Sequence, residues 1–312
     1  MEKPILLVSV PITEMQLEEL SQKAVDYQVV KVLDLQSDIS KIEIMYGWDK
    51  RIGEEILLSQ NSQLKWVQAQ SAGVDHIDVK ELEKRDVILT NASGVHGNQM
   101  SESILGMIFA HTRNIKEAVL NQEKSAWVKP DGASDLFGKT VMIVGTGHIG
   151  ERLAEILRVF GTNIIGVNRS GREIPGFEEI LKQGEISQKI SEADIIVNLL
   201  PDTEETHYFF SDKLFKEMKD GVIFINAGRG GTVNTEALIE SCQNDKIAFA
   251  GLDVFETEPL PSESPLWKLD NVLITPHTSG MSDQYYQRLF PIFVTNLSEF
   301  ILKGKVVQNQ IR

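Results

Sequence analysis

The amino-acid sequence predicts an α/β protein with two doubly wound parallel-sheet domains, and three observations predict it. The chain has 312 residues, which exceeds one typical hydrophobic core and fits two domains. Short apolar runs alternate with helical stretches, as in parallel sheets with crossover helices. Several of the later runs are continuously apolar, which is typical of strands covered on both faces.

The first alternating series occupies the N-terminal third of the chain. A helix is predicted at Glu14–Lys23, between strand candidates at residues 4–10, 42–48, 64–68 and 87–90. A long helix is predicted from residue 99 to about residue 120. The polar segment that follows contains Pro130 and Gly132, which indicate a loop.

A second alternating series begins near Gly138 and predicts the second sheet. Its strand candidates are residues 140–144, 163–167, 193–200, 222–227, 247–252 and 272–275. The last segment, residues 282–303, has helical apolar spacing, and we expect Pro291 to kink it because proline lacks a backbone N–H. The pattern alone leaves open which domain this final helix joins.

The composition argues against several classes of partner. A net charge of -14 disfavours nucleic acid and anionic membranes, although a local basic pocket would still bind an anionic small molecule. The single cysteine, Cys242, cannot form an internal disulfide and fits a reducing compartment. The N-terminal apolar run is too short for a signal peptide, and no apolar stretch reaches membrane-spanning length. We therefore expect a cytoplasmic protein.

A glycine-rich loop, Gly145-x-Gly147-x-x-Gly150, follows an apolar run and opens a helical stretch. The first glycine permits a tight turn, the second lets the backbone approach a pyrophosphate, and the third lets the helix pack closely on the strand. The helix start, at His148 and Ile149, offers N–H groups and a positive dipole end to phosphates. This context predicts a Rossmann-like dinucleotide site, and a glycine turn that serves packing alone is the alternative.

The next strand ends in Asn168, Arg169 and Ser170, at a position where NAD-preferring enzymes usually carry an acidic residue for the ribose 2′-hydroxyl. Asn168 removes the charge that would repel a 2′-phosphate. Arg169 can give that phosphate a charge-assisted, bidentate contact, and Ser170 can donate a further hydrogen bond. We predict NADP in preference to NAD, and a solvated Arg169 with either cofactor bound is the alternative.

Three residues after later strands carry the groups that reduction of a 2-keto acid requires. Arg229, within Gly-Arg-Gly, can grip a carboxylate and a carbonyl oxygen with its guanidinium fork, or else is a surface arginine. The imidazole of His277 suits proton donation and acceptance near neutral pH. Glu258 can accept a hydrogen bond from its second ring nitrogen, with Glu256 as a nearby competitor. The histidines show no ligand spacing, so we expect no metal.

With these motifs, the chain resembles the D-2-hydroxyacid dehydrogenase family over nearly its full length. The family's Gly-Arg-Gly arginine, Thr-Glu-Pro glutamate and Pro-His histidine, which form its catalytic set, match Arg229, Glu258 and His277. The resemblance implies that Asp253, in Leu-Asp-Val, contacts the nicotinamide amide. It also implies that backbone N–H groups of the turn Ala72-Gly73-Val74-Asp75 hold the substrate carboxylate.

The resemblance further implies a domain arrangement and an assembly. Residues 1–98 and 283–312 form a discontinuous substrate domain, residues 99–282 form the dinucleotide-binding domain, and the enzyme is a homodimer. We expect further cofactor contacts in the dinucleotide-binding domain. They are at Pro201, Thr206, Ala227 and Gly228.

Residues 98–103 and Trp48 resemble the glyoxylate and hydroxypyruvate reductase branch, many of whose members use NADPH. There Met100 would contact the nicotinamide side of the site, and Trp48 would wall the substrate pocket unless it is an ordinary core aromatic. We therefore predict an NAD(P)H-dependent oxidoreductase that interconverts a small 2-keto acid and its D-2-hydroxy acid. The alternatives are an NAD-dependent dehydrogenase of bulkier aliphatic acids and a dinucleotide-sensing, corepressor-like scaffold.

Overall fold

The computed structural model describes residues 3–36, 38–74, 76–130 and 132–311. Its packing divides the chain into two compact units. Residues 1–95 and 282–312 form the terminal unit, and residues 96–281 form the central unit. The functional role predicted for each domain stays a prediction.

Helices and strands alternate along the chain. The strands are β1 (Ile5–Val8), β2 (Gln28–Lys31), β3 (Ile42–Tyr46), β4 (Trp66–Gln68), β5 (Ile88–Thr90), β6 (Thr140–Val144), β7 (Asn163–Asn168), β8 (Glu179–Lys182), β9 (Ile195–Asn198), β10 (Val222–Asn226), β11 (Ile247–Leu252) and β12 (Val272–Ile274). The helices are α1 (Glu14–Lys23), α2 (Lys50–Leu58), α3 (Val79–Lys84), α4 (Gly97–Thr112), α5 (Ile115–Glu123), α6 (His148–Val159), α7 (Asp212–Glu217), α8 (Thr235–Gln243) and α9 (Tyr285–Lys303). Within the described ranges, no helix combines the length and the apolar content that a membrane crossing requires.

The sheet of the terminal unit has the strand order β2-β1-β3-β4-β5, and its neighbouring strands are parallel. Helix α9 comes from the other end of the chain and contributes its apolar face to the core of this unit. The ring of Phe293 stacks on Tyr46 at a centroid distance of 4.0 Å and on Trp66 at 5.0 Å. Because burying one such side chain stabilises a fold by roughly 1.5–3 kcal/mol, these contacts hold the two ends of the chain in one core.

The sheet of the central unit has the order β12-β11-β10-β9-β6-β7-β8, again with parallel neighbours. Alternate residues of β6 enter different cores, with Met142 and Val144 on one face and Val141 and Ile143 on the other. The strand order reverses between β6 and β9, which is the switch point at whose carboxyl edge open α/β sheets bind ligands. The predicted α/β class with two doubly wound parallel sheets is confirmed.

The structure differs from the sequence patterns in local detail. The single helix predicted from residue 99 is two helices, α4 and α5, because Asn114 between them adopts a left-handed φ of 53°. Asparagine tolerates that conformation better than most residues. The patterns also miss strands β2 and β8, which lie at sheet edges and are only partly buried. Helix α9 continues from Tyr285 to Lys303 through Pro291.

Candidate active site

Most of the polar side chains singled out in the sequence lie on loops at the carboxyl ends of strands in the central unit. The glycine loop follows β6, and Asn168 ends β7. Arg229 follows β10, Asp253 and Glu258 follow β11, and His277 follows β12. Because the strands are parallel, these loops share one edge of the sheet. One edge therefore carries both the glycine loop and the catalytic candidates.

Steric contacts within the chain explain two of the three glycines in the loop, Gly145 and Gly150. Gly145 has a φ of +108°, and an added Cβ there would lie 3.0 Å from the Leu199 carbonyl group. An added Cβ at Gly150 would lie 2.3 Å from the Gly145 oxygen, so glycine lets α6 start close to β6. An added Cβ at Gly147 would meet no atom within 4 Å. The first N–H groups of α6, from His148 onward, have no acceptor within the helix. The residues present therefore fit a dinucleotide pyrophosphate.

Asn168 at the end of β7 organises its own turn. Its Oδ1 accepts the N–H groups of Ser170 at 3.1 Å, Gly171 at 2.7 Å and Arg172 at 3.2 Å. Its Nδ2 donates to the hydroxyl of Thr146 at 3.1 Å, which ties the turn to the glycine loop. Asn168 therefore shapes the strand end, and Arg169 and Ser170 are exposed on it.

Arg169 pairs with a residue of the loop that follows β9. Its Nη2 lies 2.8 Å from Oε1 of Glu205, and both side chains are exposed. Thr206 closes this loop, because its hydroxyl donates to the Pro201 carbonyl at 2.6 Å and accepts the Thr203 N–H at 2.8 Å. Thr206 is buried and Pro201 is exposed, so the hydroxyl of Thr206 shapes the loop while Pro201 forms its surface.

The turn after β10 leaves little room around Arg229. Ala227 and Gly228 are buried, and an added Cβ at Gly228 would lie 2.7 Å from a backbone oxygen. An added Cβ at Gly230 would lie 1.9 Å from the carbonyl group of Phe255. The side chain of Arg229 is exposed, and its Nη1 donates to the Gly228 carbonyl at 2.9 Å. The glycines therefore let a tightly packed turn present one guanidinium group.

A buried network that the sequence analysis did not single out holds this turn. Asn198 ends β9 and Asn226 ends β10, and Nδ2 of Asn198 donates to Oδ1 of Asn226 at 2.9 Å and to the Thr232 hydroxyl at 2.7 Å. The Thr232 hydroxyl donates in turn to the Arg229 carbonyl at 2.6 Å. A signal was present, because an asparagine closes each of two continuous apolar runs. Satisfied buried amides of this kind hold a single local geometry.

Glu258 and His277 lie side by side, with Oε2 of the carboxylate 2.7 Å from Nδ1 of the imidazole. The second carboxylate oxygen accepts the Phe255 N–H at 3.0 Å. With Nδ1 engaged, Nε2 is the ring nitrogen left for a ligand, and the imidazole is half exposed. The structure thus brings together His277, the predicted proton donor, and Glu258, the carboxylate predicted to contact it.

Glu256, the competing carboxylate, has other partners. It accepts the Tyr208 hydroxyl at 3.0 Å and the Thr235 N–H at 2.6 Å. The second contact lies in the first turn of α8, where a carboxylate satisfies a free N–H and meets the positive end of the helix dipole. Glu256 therefore stabilises the start of a helix, and Glu258 is the carboxylate beside His277.

Asp253 holds the loop that carries His277. This buried carboxylate accepts the Thr275 hydroxyl and the Thr278 N–H on Oδ1, and the Ser279 hydroxyl and N–H on Oδ2. His277 has a left-handed φ of 54°, and its N–H donates to the Asp253 carbonyl at 2.9 Å. A residue in this sparsely populated region needs such surroundings to stay there. A contact between Asp253 and the nicotinamide amide stays a prediction.

His96 is a second imidazole near the catalytic candidates, and the sequence analysis did not select it. An added Cβ at Gly280 would lie 3.1 Å from its ring. Burial, and then the nearby Arg229 guanidinium, lower the pKa of His96 below its usual value. These surroundings favour the neutral form of the His96 imidazole, which lies next to Gly280 in the loop that carries His277.

Three further residues of the central unit that the sequence predicted to bind cofactor or substrate differ in burial. Met100 is buried in the core that covers one face of the sheet, and Ile149 packs on the same core. His148 is exposed at the start of α6. Packing accounts for Met100 and Ile149, and the cofactor and substrate contacts proposed for all three stay predictions.

The remaining candidates belong to the terminal unit. Trp48 is only 5% exposed and packs on Gly53, where an added Cβ would lie 2.3 Å from its ring. Core packing thus accounts for Trp48, and its role as a pocket wall stays a prediction. Gly73 and Val74 are partly exposed, which leaves their predicted contact with a carboxylate untested. Asp75 lies outside the described residues.

Comparisons with known proteins point the same way as the motifs. The family model described as "D-isomer specific 2-hydroxyacid dehydrogenase, NAD binding domain" matches residues 105–279. The chain is similar to a glyoxylate/hydroxypyruvate reductase B from Escherichia fergusonii, with 35% identity over 82% of this chain and 80% of that protein. It is also similar to the crystal structure of a D-isomer specific 2-hydroxyacid dehydrogenase family protein from Aeromonas salmonicida, with 33% identity, a TM-score of 0.86, and coverage of 100% and 99%. A third relative is an NADPH-dependent glyoxylate/hydroxypyruvate reductase from Sinorhizobium meliloti, solved with NADP and sulfate, with 27% identity, a TM-score of 0.79, and coverage of 99% and 98%.

Proposed function

The chain belongs to the D-isomer-specific 2-hydroxyacid dehydrogenase family, and we propose that it reduces a small 2-keto acid of the glyoxylate or hydroxypyruvate type. The family assignment makes the protein an NAD(P)-dependent oxidoreductase. The observation that carries the proposal is the 2.7 Å contact between Glu258 and His277, on the same sheet edge as Arg229 and the glycine loop. The printed names of the Escherichia and Sinorhizobium relatives support a small substrate.

We propose Arg229 as the group that binds the substrate carboxylate and carbonyl oxygen. A guanidinium presents its N–H donors as a planar fork that matches two acceptor oxygens at once. Gly230 and Thr232 hold the turn that presents it, so little orientation has to be gained on binding. The predicted contact of the Gly73 and Val74 backbone N–H groups with a carboxylate stays a prediction.

We propose His277 as the proton donor in reduction and the proton acceptor in oxidation. When bound, the dihydronicotinamide supplies the hydride that the carbonyl carbon accepts. Nε2 of His277 donates a proton to the carbonyl oxygen, since Nδ1 is held by Glu258. The Glu258 carboxylate stabilises the imidazolium before the transfer and fixes the ring orientation. In the reverse direction the same nitrogen accepts the hydroxyl proton.

We propose NADP as the preferred cofactor. The glycine loop would hold its pyrophosphate, and Arg169 and Ser170 would hold its 2′-phosphate. The end of β7 itself carries no acidic side chain, and Asn168 fixes the turn on which Arg169 is exposed. The Sinorhizobium reductase, solved with NADP, supports this preference.

The test is the initial rate of NADPH and NADH oxidation with glyoxylate, hydroxypyruvate and a bulkier aliphatic 2-keto acid. Turnover of a small acid that is faster with NADPH supports both the substrate class and the cofactor. Faster turnover with NADH refutes the cofactor preference and retains the chemistry. Faster turnover of the bulkier acid favours the alternative dehydrogenase. Dinucleotide binding without turnover of any acid contradicts the catalytic proposal and favours the sensing scaffold.

We also propose that the chain forms a homodimer through the central unit. This unit exposes large apolar side chains, among them Trp127 at 94%, Val159 at 85% and Phe137 at 81%. Exposed apolar side chains mark an interface when they form a contiguous patch, and the ring of Phe137 packs against Gly161, two residues beyond Val159. Multi-angle light scattering of the purified protein should give the mass of two chains, and the mass of one chain at micromolar concentration would refute the dimer. A cytoplasmic location stays a prediction.

A further inference from the structure

An acidic side chain competes for the arginine of the proposed 2′-phosphate site. Nη2 of Arg169 lies 2.8 Å from Oε1 of Glu205, although the two residues are 36 positions apart. Arg169 follows β7, and Glu205 lies in the loop after β9, so the ion pair joins two loops of one sheet edge. The glycine loop, after β6, lies on the same edge.

Arg169 is an exposed donor on the turn after β7, as are Ser170 and Arg172. The Oδ1 atom of Asn168 already accepts three backbone N–H groups of the turn. The loop after β9 is acidic, with Asp202 and Glu204 close in sequence to Glu205. Asp202 lies 3.2 Å from Nδ1 of His207 within that loop. Of these acidic residues, Glu205 is the one that contacts Arg169.

We propose that Glu205 is a cofactor-specificity residue that weakens NADP binding by holding Arg169 and by repelling the 2′-phosphate. The inference rests on the proposed function, in which the end of β7 binds the adenosine ribose. A 2′-phosphate has to displace Glu205 from the guanidinium and then lies near a like charge. The ribose of NAD carries no such group and leaves the ion pair in place. Because an exposed ion pair is weak, Glu205 limits the preference for NADP without abolishing it.

The experiment measures the dissociation constants of NADP⁺ and NAD⁺ by titration calorimetry of the full chain. Glu205→Gln keeps the shape of the side chain and removes its charge. We expect it to bind NADP⁺ about threefold to tenfold more tightly, with NAD⁺ changed by less than about twofold. The matched control is Glu204→Gln, which removes the same charge from the neighbouring exposed residue. We expect that control to change the NADP⁺ constant by less than about twofold.

A double-mutant cycle tests whether the effect passes through Arg169. Arg169→Gln should weaken NADP⁺ binding. In that variant, Glu205→Gln should tighten NADP⁺ binding by less than half of the free energy that it gains in the wild-type background. The inference is overturned if Glu205→Gln leaves the NADP⁺ to NAD⁺ ratio unchanged. It is also overturned if Glu204→Gln gives an equal gain, or if the full gain persists without Arg169.

Dinucleotide binding separates failure of the proposed function from failure of the role given to Glu205. If the wild-type chain binds neither dinucleotide, the proposed function is overturned and this inference with it. If both dinucleotides bind and the ratio is the same in wild type and in Glu205→Gln, only the role of Glu205 is lost. Because the readout is binding, it does not depend on identifying the 2-keto acid.

Discussion

Glu258 uses both carboxylate oxygens to fix His277 in place. Oε2 lies 2.7 Å from Nδ1 of the imidazole, and Oε1 accepts the Phe255 N–H at 3.0 Å. The carboxylate therefore joins the loop after β11 to the loop after β12, and the backbone of the first loop orients the ring on the second. Asp253 supports the same loop from the protein interior. The Glu258 carboxylate thus holds the ring of His277, and the Asp253 carboxylate holds the loop that carries it.

Replacement of Glu258 by glutamine should lower kcat by roughly 10- to 100-fold, because the amide cannot stabilise the imidazolium as a carboxylate does. The matched control is Glu256→Gln, since Glu256 contacts Tyr208 and Thr235 and not His277. That variant should keep kcat within about threefold and lower the melting temperature slightly. Steady-state rates and thermal melts of both variants check this. Equal losses of kcat in the two variants would contradict the role given to Glu258.

Replacement of Arg229 by lysine keeps the charge and removes the planar fork. We expect kcat/KM for the keto acid to fall roughly 100-fold, because a point charge cannot hold the carboxylate and the carbonyl oxygen together. Dinucleotide affinity should stay within about twofold, since the proposed cofactor contacts lie on the glycine loop and on β7. Rates with varied keto acid, together with cofactor titrations, separate these two effects. Wild-type kcat/KM in Arg229→Lys would mean that another cation anchors the substrate.

The glycine loop offers a test of binding that is separate from folding. Gly147→Ala places a methyl group in open space, so the melting temperature should not change. Dinucleotide affinity should fall about tenfold, because the pyrophosphate can no longer approach the backbone. Gly184→Ala, whose added Cβ also meets no atom, should change neither quantity. Gly150→Ala should destabilise the fold by about 1–3 kcal/mol, because its Cβ would lie 2.3 Å from the Gly145 oxygen. Unchanged affinity in Gly147→Ala would argue that the loop serves packing alone.

His96 should make stability depend on pH. Burial and Arg229 lower its pKa in the folded chain, so between that value and about 6.5 the unfolded chain binds more protons. Stability should therefore fall as the pH drops below about 6.5, and His96→Gln should reduce that fall. Melting temperatures between pH 7.5 and pH 5 check this, with His148→Gln as a control that removes an exposed imidazole. An identical slope in wild type and His96→Gln would show that His96 does not contribute.

The sequence predicted the fold where burial is two-sided and continuous. Strand β11 was predicted with its observed bounds, because a run of apolar residues covered on both faces leaves a plain signal. Edge strands β2 and β8 left no such signal, since their side chains are partly exposed. The break between helices α4 and α5 depends on the left-handed backbone of Asn114. The helical spacing of apolar residues does not show the conformation of one residue.

The sequence placed the site residues at strand ends but did not determine the contacts between their side chains. Parallel strands bring Arg229, Glu258 and His277 to one edge whatever their side chains do. The choice between Glu256 and Glu258 depends on side-chain direction within one short loop, which spacing does not specify. The ion pair between Arg169 and Glu205 joins residues 36 positions apart, so only the folded structure shows it.

The packing around Trp48 accounts for this residue without the pocket role that the family resemblance implies. The sequence allowed a pocket wall or a core aromatic, and the indole packs on Gly53 with only 5% of the residue exposed. The glycine leaves the space that the ring fills, which a core aromatic requires. The sequence did not predict the hydrogen bond between Asn198 and Asn226. An asparagine after an apolar run indicates the end of a strand, and only the fold shows that its side chain is buried and which group it contacts.

The most direct test of the central claim is the turnover of His277→Asn. Asparagine tolerates the left-handed φ of 54° at this position, so the loop should keep its backbone conformation while the proposed proton donor is lost. Reduction of glyoxylate or hydroxypyruvate, whichever the wild type turns over faster, should fall roughly 10²- to 10⁴-fold, with the NADP⁺ dissociation constant within about twofold of wild type. Turnover within a few-fold of wild type, with cofactor bound, would contradict the assignment of His277 as the proton donor.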